Sequence, residues 1–366
     1  MRPRWSCLVM VLFGLALGAG CNHEYPKELE YPFSPYPSLN GQVKEVFNLD
    51  PPGTPLDKQK TRTPEDVAKE LNAIFGTPRE PMVAVVDSNG ELDTKLQEDL
   101  QLQPEQLAAG SVLYRKFCLH CHGLVGDGNG STAGPIDAPF LTPRPRDFRQ
   151  GKFKFRSTAI RQSDGSYNTI EMTLPSRTDL VKTIRSGVPT ASMPSFNLLP
   201  DAQIDQLVSY IIHLSIRGRV EQQFAKDTDS EAPELARKEA KRWQQQSKWT
   251  YAPEKLPKPW EELKADRERG RKIYLSETAA CASCHGKDGR SSVVEIPTND
   301  GRRNDWGDKN PPRDLTLGAY RGGSRPIDIF YRIKLGVAGS GMPAAAIKDD
   351  EVWYLVDYVL SLPQQK

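Results

Sequence analysis

The chain has 366 residues, room for two or three domains, and a formal net charge of +2. A charge so nearly balanced gives no basis for nucleic-acid binding. With 37% hydrophobic residues, 30 Pro and 28 Gly, the composition points to small domains joined by irregular segments and excludes one large apolar core.

Residues 1–20 have the form of an export signal. Arg2 and Arg4 precede the apolar run Leu8–Ala19, which ends in small residues before Cys21. At about a dozen residues the run falls short of the roughly 20 that span a bilayer as a helix. Leu17-Gly18-Ala19-Gly20-Cys21 resembles a bacterial lipoprotein processing site, with Gly18 where that site usually carries Leu or Val. The resemblance implies that Cys21 is acylated and anchors an exported, periplasmic protein to a membrane. An ordinary signal cleaved nearby would instead leave a soluble product. Residues 22–62 are dense in Pro and Tyr and predict a semi-extended tether, or a strap lying on the body of the protein. Thr63-Pro64-Glu65 starts a short helix with Val67, Leu71 and Ile74 on one face, and Gly76 ends it. Residues 21–103 thus form an irregular N-terminal extension, and nothing in residues 63–100 suggests a function.

A first domain is expected over residues 104–217. A helix over Gln106–Phe117 leads into Cys118-Leu119-His120-Cys121-His122, a C-x-x-C-H followed by a glycine-rich stretch. Two thiols at this spacing can form thioethers to both vinyl groups of one haem, and the next residue offers an imidazole to the iron. Asp164-Gly165 centres an expected hairpin, Met193-Pro194 follows, and Pro200–Arg217 carries the apolar stripe of a closing helix. Residues 218–260 are rich in charge and predict a solvated helix and a Pro-punctuated linker.

Residues 261–366 repeat the first domain. An entry helix over Glu261–Leu275 precedes Cys281-Ala282-Ser283-Cys284-His285, and Asp349–Leu362 is the closing helix. Arg313-Asp314-Leu315 matches Arg146-Asp147-Phe148, and Asp328…Ile333…Gly336…Met342-Pro343 matches Asp179…Ile184…Gly187…Met193-Pro194. Of the six cysteines, four belong to the two motifs and the others, Cys7 and Cys21, lie at the N-terminus. A pair of zinc or redox C-x-x-C sites would leave the adjacent histidines unexplained. The expected cofactors are two covalently bound haems c.

Each half resembles a class I cytochrome c: entry helix, C-x-x-C-H, glycine-rich loop, Met-Pro loop and closing helix. The resemblance implies an all-α protein with two tandem haem-binding domains. It further implies that the first and last helices cross at Gly110 and at Gly270, facing Tyr210 and Tyr358. His122 and His285 are the expected iron ligands, with Met193 and Met342 opposite them, since both precede Pro at equivalent places in the repeat. Core packing is the alternative role for these methionines. Family likeness also implies that Pro135 and Pro297, 13 and 12 positions after the histidines, offer their carbonyls to the second imidazole nitrogen. Arg146 and Arg313 either pair with haem propionates or face solvent. His213 stands where the second domain has Ser361 and is expected to be a surface or packing residue.

Three functions compete. An electron carrier between redox proteins suits two six-coordinate His/Met haems. A dihaem cytochrome c peroxidase-like enzyme would need one haem with an open or displaceable position, which two Met-Pro loops disfavour. A cytochrome subunit of a larger respiratory complex shares the carrier's chemistry, and the N-terminal extension and linker lean that way.

Overall fold

The computed structural model describes residues 30–31, 62–134, 144–168, 173–291, 304–306 and 310–364, apart from Ser88, Thr228, Ser247 and Pro257. The chain divides into residues 1–30 and one body running from Tyr31 to Lys366, which holds everything that follows. Cys21, the expected signal, the tether apart from Glu30, Tyr31 and Arg62, and Pro135, Pro297 and Met172 lie outside the described residues.

Among the described residues the architecture is all-α with one small hairpin. Helix α1 (Pro64–Phe75) begins where the Thr63 hydroxyl accepts the Asp66 N–H and ends at Gly76, whose φ of 66° suits a residue without Cβ. Helix α2 (Thr94–Leu100) is capped by Asp93, whose side chain accepts the Leu96 N–H. Entry helix α3 (Pro104–Phe117) runs into α4 (Leu119–His122), the single turn of the first C-x-x-C-H. Strands β1 (Ile160–Arg161) and β2 (Tyr167–Asn168) pair antiparallel around the expected Asp164-Gly165 turn. Helix α5 (Arg177–Ser186) starts with a reciprocal capping box between Ser176 and Asp179.

Two departures follow in the middle of the chain. The closing helix α6 (Asp201–Lys226) continues nine residues past Arg217. Its extension buries Val220, Glu221, Phe224 and Ala225. Helix α7 (Ala232–Gln246) is not solvated: Leu235, Ala236, Ala240 and Trp243 are buried in the first core. Charge on its opposite face conceals this stripe from a reading of composition. The N-terminal extension is likewise part of the body, because α1 packs on α6 and α7, and α2 packs on α7.

The second half contains α8 (Trp260–Lys264), α9 (Arg267–Leu275), α10 (Ala282–His285), α11 (Pro326–Leu335) and α12 (Asp349–Ser361). The expected entry helix is broken between α8 and α9, where Asp266 leaves helical geometry and its carbonyl starts the new helix by accepting the Arg269 N–H.

In both halves the entry and closing helices cross at glycine. A Cβ on Gly110 would lie 2.2 Å from the Gln206 carbonyl oxygen, and one on Gly270 would lie 2.2 Å from that of Tyr354. No side chain fits such a gap. The tyrosine pairs beside the crossings are nearly superposable, Tyr114–Tyr210 at 5.2 Å and 57° and Tyr274–Tyr358 at 5.3 Å and 58°. Each entry-helix tyrosine then donates its O–H to the glycine after the haem-motif histidine, Gly123 at 2.8 Å and Gly286 at 2.7 Å. The crossing therefore fixes where each histidine stands.

Trp243 tests whether α7 belongs to the first domain. Trp243→Ala should cost about 3–5 kcal/mol in chemical denaturation, the loss expected for a large buried aromatic. A freely solvated linker helix would show almost none.

Candidate haem-binding sites

The histidines are held by the repeated Arg-Asp-Phe/Leu segment. His122 Nδ1–H donates to the Arg146 carbonyl at 3.2 Å, and His285 Nδ1–H donates to the Arg313 carbonyl at 2.9 Å. This is the contact the family likeness assigned to Pro135 and Pro297. Arginine carbonyls make it instead, because the residue two positions further on pins each segment against the glycine-rich loop. Phe148 N–H bonds to the Gly126 carbonyl at 2.8 Å, and Leu315 N–H bonds to that of Gly289 at 2.7 Å. Asp147 and Asp314 cap the short turns that follow, each accepting an amide N–H two residues on. With Nδ1 protonated, Nε2 keeps its lone pair for an iron.

One thiol and the methionine of each half are partly buried against its core. Cys118, Leu119, Met193 and Phe196 are partly buried against the first core, and Cys281, Ala282, Met342 and Ala345 stand equivalently against the second. Among the described residues, the four motif cysteines form no disulfide. Burial, followed by repulsion from Cys121, pushes the Cys118 thiol up to about 12, and burial pushes Cys281 up to about 11, so both are protonated at neutral pH. Burial lowers His122 to about 4 and leaves its imidazole neutral, the form a metal requires.

Each Met-Pro turn is tied back in the same way. Val188 N–H bonds to the Met193 carbonyl at 3.1 Å, and Val337 N–H bonds to that of Met342 at 3.0 Å. Three residues after each methionine the chain returns to the preceding helix, Phe196 N–H to Ile184 O at 3.2 Å and Ala345 N–H to Ile333 O at 2.9 Å. Gly187 and Gly336 lie under the turns, where a Cβ would come within 2.8 Å of their backbone.

These residues fit a haem. Apolar side chains that line one core yet stay only half covered suit a large flat apolar group. The polar edge has its own marker: the Nε atoms of Arg144 and Arg313 and Nε1 of Trp306 are buried without hydrogen-bond partners. Two carboxylates would satisfy donors of this kind. Cys118, Cys121 and His122 would hold one haem, and Cys281, Cys284 and His285 the other.

The sequence does not disclose several neighbours. Phe148 stacks on the His122 ring at 4.7 Å and 21°, Phe153 stacks on Phe148 at 6.0 Å, and Trp243 of α7 meets Phe153 edge-on at 5.8 Å. Arg146 extends its guanidinium over the Trp306 ring at 3.3 Å, and Arg313 reaches the Thr190 hydroxyl. Both arginine side chains thus bridge to the other half. His213 is a packing residue: it is fully buried, stacks on Tyr210 at 5.5 Å, and donates Nε2–H to the Phe75 carbonyl at 3.1 Å.

Residues 105–211 match the family described as cytochrome c oxidase, cbb3-type, subunit III, and residues 267–363 match the family described as cytochrome c. The chain is similar to a solved chain titled "reducing HAO-like protein complex" from Kuenenia stuttgartiensis. The two are 29% identical with a TM-score of 0.51, over 69% of this chain and 95% of the other. No curated protein sequence matches the chain.

His213 gives a pH test independent of any cofactor. Burial lowers its pKa from 6.5 to about 4. The unfolded chain therefore binds the extra proton between these values, and stability falls as pH drops through 6.5 toward 4. The loss should be on the order of 3 kcal/mol. His213→Gln, which supplies an amide donor but does not titrate, should flatten that part of the pH profile in urea unfolding.

Proposed function

We propose that this chain, which carries two tandem cytochrome c domains, relays electrons between redox proteins as an exported subunit of a larger redox complex. The observation that carries the reading is the identity of the two sites in detail. Each histidine is held in one tautomer by an arginine carbonyl, and each methionine sits on a turn secured by the same two backbone bonds. Two sites built alike suit passage of an electron. A division of labour, with one site open for substrate, is what a peroxidase-like enzyme would require.

The bound haems would supply one-electron exchange at iron. The protein's part is placement and electrostatics. Cys118, Cys121, Cys281 and Cys284 would hold the macrocycles by thioethers, each thiol adding across a vinyl double bond. His122 and His285 would offer Nε2 to the iron, and Met193 and Met342 a neutral thioether, a pairing that raises potential relative to two nitrogen ligands. The backbone bonds that tie down each Met-Pro turn and each histidine position these donors. Arg144, Arg313 and Trp306 supply donors for propionates.

Similarity to a chain from a reducing HAO-like protein complex supports the assignment as a complex subunit. The export signal, with Cys21 as its lipid attachment point, supports a periplasmic location at a membrane surface. From there the partners are a donor and an acceptor protein, with no role for nucleic acid.

Haem staining after denaturation should give two covalent haems per chain. Met193→Ala and Met342→Ala should each abolish the ferric thioether-ligand absorption of one haem and lower its potential; an unchanged spectrum would remove that methionine as a ligand. Rapid peroxide turnover by the reduced protein would favour the enzyme instead. Labelled palmitate should be retained by the wild type and lost from Cys21→Ser.

A further inference from the structure

The repeat relates Thr190 to Gly339, each the second residue after the valine that ties down a Met-Pro turn. Both have left-handed backbone, with φ of 59° and 68°. For Gly339 this conformation costs little. For Thr190, a β-branched residue, it is strained by an amount of order 1–3 kcal/mol and persists only where the surroundings hold it.

What holds Thr190 comes from the second domain. Arg321 donates Nη2–H to the Thr190 carbonyl at 3.2 Å and Nε–H to its hydroxyl at 3.4 Å. Arg313 also donates to that hydroxyl, and it is the residue whose carbonyl holds His285. Gly339 is held from the opposite direction. Trp306 fills the space a side chain would take, with its ring 2.2 Å from an added Cβ, and Asp305 N–H bonds to the Gly339 carbonyl at 2.9 Å. Trp306 lies under the guanidinium of Arg146, whose carbonyl holds His122. Lys152 of the first domain pairs with Asp305 at 2.5 Å and secures the same segment.

We propose that the two domains cross-brace each other's iron sites. Arg313 and Arg321 position the turn of Met193, while Arg146, acting through Trp306, positions the turn of Met342. Arg313 and Arg321 end on the turn that carries Met193, and Arg146 reaches the turn of Met342 through Trp306. They are positioning residues and touch neither methionine sulfur. The consequence is that ligand strength at one iron depends on the docking of the other domain. Separating the domains would loosen both methionines together.

This inference rests on Met193 and Met342 being iron ligands, and the test separates the two statements. In the oxidised holoprotein with 13C-methyl methionine, Met193→Ala and Met342→Ala assign the two paramagnetically shifted methyl signals. Added imidazole then competes with each thioether, and loss of its signal reports how firmly the turn holds it. Arg321→Ala should let imidazole displace Met193 at about tenfold lower concentration, through the loss of its charge-assisted hydrogen bonds to Thr190. Met342 should be unaffected. Arg321→Lys should recover part of the effect. Trp306→Leu should loosen Met342 and spare Met193. The bracing is overturned if Arg321→Ala perturbs only the Met342 haem of its own domain, or if it leaves displacement of Met193 unchanged. Absence of shifted methionine signals in the wild type would overturn the ligation reading, and the bracing with it.

Discussion

One hydrogen bond sets the terms for each half of this molecule: imidazole Nδ1–H to an arginine carbonyl, at 3.2 Å for His122 and 2.9 Å for His285. It chooses the tautomer, orients the ring and leaves Nε2 for iron. A backbone carbonyl can serve only if its segment does not move. Much of the surrounding architecture secures that condition: the Gly126 and Gly289 carbonyls, the Asp147 and Asp314 caps, and the glycine crossings that locate the motif. In the first half Asp147 is itself held by Arg149, and with Glu221 and Arg217 they form a buried group of two cations and two anions. Such a group contributes more to fixing one arrangement than to net stability, because burying each charge costs free energy that pairing roughly offsets.

The same two arginines contribute twice, once through the main chain and once through the side chain. Their carbonyls face inward to histidine, and their guanidinium groups face outward to the other domain. A two-domain cytochrome whose halves merely sat on a tether would show no such division. Here side-chain contacts between the domains, Arg156 to the Leu335 carbonyl, Lys182 to Asp328 and Lys152 to Asp305, join both halves into one body.

Much of the candidate site was legible because covalent attachment demands a fixed local spacing. Cys118, Cys121 and His122 are adjacent in sequence for a chemical reason, and so are their counterparts. The α1 helix was equally readable, from its Thr63 cap to Gly76, since capping acts within one turn. Errors fell where burial decides. Residues 218–246 look solvated by composition, but α7 needs only the Leu235–Trp243 stripe to enter the core. Pro135 and Pro297 were chosen by likeness of position, while a bend at Gly126 and Gly289 brings Arg146 and Arg313 to the histidines from 24 and 28 residues away.

The sequence by itself determined the cofactor class, the duplication and the paired Met-Pro turns, because each is written in short-range spacing that any fold must respect. Tertiary structure decided which carbonyl holds each histidine, that α7 closes the first core, and that the domains reach across to each other's methionine turns. Those choices depend on which surfaces meet. Thr190 meets Arg321 across 131 residues of chain, and no local pattern encodes a contact at that separation.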